Sequence, residues 1–236
     1  MGLNAGHSLT LKTGWDFLEP NRRKAALNLI DFLKPEVVIL AFPCGPWSPL
    51  HRLNPPADLQ ERKEAAKQLV LFAIEVATLQ LKAGRHFMIE NPQPSAAWQL
   101  EELKKFEARP DVLSVIVDMC AFNLRSENGG LHRKRTKLLS SSQALISNMI
   151  GRRCDGRHQH DPVIGGSKIT EAAGHYSREF SEAVVNSFME QFDFETLAIF
   201  QAMKPCMRSM PLVCKMMRQM AQSCKSSQMD RLNYSQ

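Results

Sequence analysis

No run of about 18 apolar residues occurs anywhere in the 236-residue chain, so no segment is expected to cross a bilayer as a helix. The N-terminus has no apolar signal core either, which argues against secretion. The cysteines at positions 44, 120, 154, 206, 214 and 224 form no CxxC pair and no compact disulfide spacing. Reduced thiols in an intracellular compartment are the simpler expectation. Internal repeats are absent as well. What is present is ordinary globular material, 44% hydrophobic and 23% charged, enough for one good core.

Two short apolar runs organise the chain. Val37-Val38-Ile39-Leu40-Ala41 reads as a fully buried strand, and Phe42-Pro43-Cys44-Gly45-Pro46-Trp47-Ser48 cannot continue it, because two prolines remove backbone donors. Cys44 therefore stands at the carboxyl end of a strand, the edge where open α/β sheets bind ligands. His86-Phe87-Met88-Ile89 is a second such run and ends in Glu90-Asn91-Pro92. Between them, Asp58-Leu59-Gln60-Glu61 has the form of a capping box. A helical pattern then runs to Ala83, with Gly84 as terminator. Strand, helix, strand in this order predicts a βαβ crossover with Cys44 and Glu90 at one sheet edge.

Further helices are expected over residues 21–33, 96–108, 142–150 and 177–192, and further strands over 112–119 and 136–141. The fold expectation is α/β and Rossmann-like, a mostly parallel sheet with helices on both faces. The domain would occupy residues 1–195. Residues 196–236 hold seven of the twelve methionines and six Lys or Arg against Asp230, with Pro205 and Pro211 interrupting any long helix. They read as a poorly ordered basic tail.

Charge is unevenly placed. Between Arg125 and His158, eight Lys or Arg face only Glu127 and Asp155, a clustering that suits phosphate contacts. The same stretch holds Cys154, His158 and His160. Three ligands fall short of the four a structural zinc takes, so no metal is expected.

The Pro-Cys loop, the Glu-Asn loop and the basic His132-Arg133-Lys134-Arg135-Thr136-Lys137 occur in an order that resembles the DNA cytosine-5 methyltransferases, over roughly residues 14–190. The resemblance implies Cys44 as a nucleophile adding to cytosine C6, Glu90 as the protonated partner of the base at N3, Asn91 orienting it, and Arg135 steadying a flipped base. It implies S-adenosylmethionine as cofactor, held by Asp16 of Gly14-Trp15-Asp16-Phe17 together with Phe42 and Pro43. It implies DNA as partner, contacted by Ser48, Arg133, Lys134 and Lys137. The sequence departs from the pattern at Gly45, at Pro92 and at Ala172-Ala173-Gly174-His175-Tyr176. No convincing strand precedes Gly2, Gly6 or Gly14, so the family's glycine-rich cofactor loop is missing and the domain reads as N-terminally truncated. Weak or no cofactor binding and no methyl transfer are therefore expected. The alternatives are a non-catalytic nucleic-acid-binding protein that keeps the fold, and a Cys-His hydrolase pairing Cys44 with His51 or His175.

Overall fold

The computed structural model describes residues 5–163 and 174–207. The chain divides into two compact units, Met1–Gln191 and Phe192–Gln236, and every expected site residue belongs to the first. Helix α1 (Pro20–Leu33) starts on a proline and stops at Lys34, whose left-handed backbone closes it. Strand β1 (Val37–Leu40) leads through the Cys44 loop into α2 (Leu59–Lys82), then β2 (His86–Pro92). Short α3 (Glu101–Glu107) precedes β3 (Leu113–Asp118), then β4 (Arg135–Ser140), α4 (Gln143–Met149) and α5 (Arg178–Met207). None of the helices among the described residues is long and apolar enough to cross a membrane.

The four strands lie in the order β1-β2-β4-β3, with β1 and β2 parallel and β4 antiparallel to both of its neighbours. This corrects the expectation of a mostly parallel sheet. The reason lies in the connection from β3 to β4, a single 3-10 turn at Met119–Phe122 followed by loop, with no helix to carry the chain back for a parallel return. Strand β4 is central, which is why Leu138 and Leu139, pointing to opposite faces, are both fully buried.

One face of the sheet presents Phe87, Ile89 and Leu139 to Val70, Ala73 and Ala77 of α2 and to Leu103 and Phe106 of α3. On the opposite face, Leu145 and Met149 of α4 and Phe180, Val184 and Phe188 of α5 are buried, and the Phe188 ring lies beside His86. Trp15 and Phe17 join α1, Phe72 and Val76 in a smaller cluster at the β1 edge.

Five local expectations change. Strand β1, read as fully buried, is an edge strand with Ile39 54% exposed. Strand β2, expected to end at Ile89, continues through Glu90 and Asn91 to Pro92, because these residues pair with β4. Asp58 makes no capping bond to the start of α2; its carboxylate instead accepts from Arg62 at 2.7 Å. The helix expected over 96–108 divides into a 3-10 turn (Ala96–Gln99) and α3, separated by extended Leu100. Helix α5 runs past residue 192 to Met207 with Pro205 in its last turn, because Glu195, Leu197 and Ala198 are helix formers with no breaker among them. Residues 208–236 of the expected tail lie outside the described residues.

Candidate functional site

Parallel pairing places Leu40, the last residue of β1, opposite Ile89, so the Cys44 loop and Glu90 emerge at the same edge of adjacent strands. Beyond Phe42 the chain turns into a 3-10 segment, Gly45–Trp47, with Cys44 at its N-cap and the thiol exposed. Three contacts hold this loop. Asn91 Nδ2 donates to the Phe42 carbonyl at 2.8 Å, Phe42 packs edge-on to Trp98, and His51 Nε2 lies 2.8 Å from the Gly45 carbonyl. Asn91 is thus a positioning residue for Cys44, and its Oδ1 is buried without a hydrogen-bond partner. The His51 ring serves the loop backbone, as Ser48 does when its hydroxyl accepts from Leu50 N–H.

Glu90 projects from the other face of β2, 5% exposed. Its Oε2 accepts from the Tyr176 hydroxyl at 2.9 Å, and Lys134 Nζ stands 3.7 Å from Oε1, which has no hydrogen-bond partner. Burial pushes the Tyr176 phenol well above its ordinary range, and the charges of Glu90 and Cys44 push it the same way. Tyr176 therefore bonds directly to one of the expected catalytic groups, Glu90. In the sequence Tyr176 is marked only by its place in the mismatched Ala172-Ala173-Gly174-His175-Tyr176.

The expected nucleic-acid and arginine motif is divided rather than presented as one face. Arg135 and Arg133 turn to Asp118, at 3.1 and 3.9 Å, and Arg153 joins them at 3.1 Å. Burial opposes the charge on Asp118, but the Cys154 N–H and the arginines prevail and hold its carboxyl below the usual range. Lys134 goes to Glu90, whereas Lys137 pairs with Glu107 at 2.6 Å and lies over the Trp98 ring.

Asp16 sits in a turn in which its own carboxylate accepts from Leu18 N–H at 2.9 Å, flanked by the inward-packed Trp15 and Phe17. Among the described residues no strand precedes β1. Gly14 ends a 3-10 turn with φ of 83°, and an added Cβ there or at Gly6 would meet only open space. Phe42 is buried against Trp98. Among the described residues, Gly6, Gly14, Asp16, Phe42 and Pro43 thus form no glycine turn between a strand and a helix N-terminus.

Outside this edge, the structure adds Cys120 to Cys154, His158 and His160. Burial, with Cys154 beside it, pushes the Cys120 thiol up to about 11. Compared with protein-family models, curated proteins and solved structures, the chain matches none.

Proposed function

We propose that the chain is a DNA cytosine-5 methyltransferase-like domain, intracellular and Rossmann-like in its β1–α2–β2 unit, whose Cys44 adds to cytosine and which, with no strand and glycine turn before β1 among the described residues, binds a methyl donor weakly or not at all. The observation that carries this reading is the placement of the Cys44 loop and Glu90 at one edge of adjacent parallel strands, with Tyr176 bonded to Glu90. A reduced, exposed thiol suits the role.

The chemistry follows from the groups present. A flipped cytosine would donate its exocyclic amine to Glu90 Oε1, relieving a buried acceptor that otherwise lacks a partner. Tyr176 fixes the carboxylate through Oε2. The Cys44 thiolate forms a bond to C6, and the C5–C6 π pair moves to C5, with Lys134 offsetting the charge that develops. C5 then takes a proton from water. Reversal expels the thiolate and one of the two C5 protons, so the balanced outcome is exchange of the C5 hydrogen with solvent.

A specific observation favours the second reading, a non-catalytic nucleic-acid-binding protein. Arg133, Arg135 and Arg153 surround the single carboxylate of Asp118 while remaining 48%, 38% and 41% exposed, which leaves excess positive charge for a phosphate. Incubation with single-stranded DNA in deuterated water, read by mass spectrometry, separates the two. We expect C5 deuteration that disappears in Cys44→Ala, together with weak or no S-adenosylmethionine binding by calorimetry and no methyl transfer. DNA binding without Cys44-dependent exchange would select the second reading. Tight cofactor binding with Cys44-dependent methylation would overturn the expectation of weak cofactor binding.

A further inference from the structure

We propose that Cys120, Cys154, His158 and His160 form a structural zinc site, independent of the chemistry at Cys44. One ligand atom from each lies within 4.8 Å of all the others. The Cys154 sulfur stands 3.7 Å from His158 Nε2 and 3.3 Å from His160 Nε2. Tetrahedral zinc with bonds of about 2.3 Å to sulfur and about 2.0 to 2.1 Å to nitrogen sets sulfur–nitrogen edges of roughly 3.6 Å, so these separations already suit the ion.

The alternative, a hydrogen-bonded cluster, is poorly matched to the groups. Both imidazoles aim Nε2 at one sulfur, whose single proton serves at most one of them. The Gly156 N–H also points at that sulfur, at 3.3 Å. The Asp155 carboxylate draws the His158 proton to Nδ1, which leaves Nε2 a lone pair aimed at the sulfur, a meeting of two acceptors that a cation satisfies. Two thiolates and two imidazoles favour zinc over hard cations, and four protein ligands leave no open position, which makes the site structural rather than catalytic.

The surroundings are those of a built site. His158 Nδ1 lies 3.5 Å from the Asp155 carboxylate, a partner that orients a ligating ring. Gly156, with φ of 74°, allows the tight turn between Cys154 and His158. Cys154 N–H donates to Asp118 at 3.0 Å, tying this loop to the end of β3, from which the turn carrying Cys120 departs. Beside His160, Asp161 N–H donates to the Leu131 carbonyl at 2.9 Å. The ion would thus clamp the end of β3 to the loop after α4 and hold Arg153 against Asp118.

The test is elemental analysis of the purified full chain, with cobalt substitution. About one zinc per chain is expected. Cys120→Ser and His160→Ala should each lower it at least tenfold, whereas Cys44→Ser should retain it. Because the ligand variants can lose structure, the chelator-treated parent chain is also titrated with cobalt(II). Thiolate charge-transfer absorption and tetrahedral visible bands should saturate at about one equivalent and vanish on adding zinc. Absence of both zinc and the tetrahedral cobalt spectrum, zinc retained by both ligand variants, or a Cys120–Cys154 disulfide found by mass spectrometry would each overturn the site.

Discussion

Tyr176 reaches Glu90 from 86 residues away in sequence, and the bond between them is the most consequential one at the candidate site. Its removal is measurable without any substrate. Tyr176→Phe should destabilise the protein by about 1.5 to 3 kcal/mol in denaturant melts, the range for a hydrogen bond to a charged group. The phenol's raised pKa also fixes a sign. The folded state holds this proton above pH 10, where the unfolded chain releases it, so the associated stability is present below about pH 10 and is lost as pH rises through the folded value. Subtracting the alkaline absorbance titration of Tyr176→Phe from that of the parent chain should isolate a phenolate step that begins later than an ordinary tyrosine. A difference curve centred at the ordinary value would refute the burial argument. That Cys44, Glu90 and Asn91 stand at one end of adjacent strands was legible in sequence, because a short apolar run precedes each; that Glu90 and Asn91 still belong to β2 was not, because it depends on pairing with β4. Cys120 and Tyr176 were not, because their partners are brought to them by strand pairing and helix packing, which local patterns do not encode.

Most strands and helices could be read from apolar spacing, but their arrangement could not. Strand β4 shows why: its residues read as a strand, while its direction depends on the loop before it and its central place on both Leu138 and Leu139 needing cover. That placement makes it the least forgiving element. Leu139→Ala should cost about 2 to 5 kcal/mol, because the cavity opens between Phe87 and the helices above. By contrast, Ile39 on edge strand β1 is 54% exposed, and Ile39→Ala should stay within roughly 0.5 kcal/mol. Equal losses in chemical denaturation would contradict the strand order. The basic motif teaches the same lesson at the level of one strand, since Arg135 and Lys137 share a face of β4 yet meet different acids at different positions along it, Asp118 across the ladder and Glu107 at the end of α3.

The net charge of +6 carries meaning only once those internal pairs are discounted. Arg133 is half exposed and loosely held, so Arg133→Ala should lower the slope of log affinity for single-stranded DNA against log salt by up to about 0.7. Lys137→Ala should change that slope little, because its ammonium is already engaged by Glu107 and Trp98. Anisotropy titrations at several salt concentrations decide it, and equal slopes in both variants would mean the Asp118 arginines do not meet phosphate. The insertion of β4 between β2 and β3 also bears on how the chain is made. During synthesis, the β1–α2–β2 unit emerges well before β4, so the growing chain must wait with one edge of β2 unpaired and with Met88 and Ile89 deprived of the strand that covers them. The candidate catalytic edge is therefore finished late, by a strand that contributes backbone and bulk rather than chemistry, and a fragment ending before Ser140 would carry Cys44 and Glu90 on an incomplete sheet.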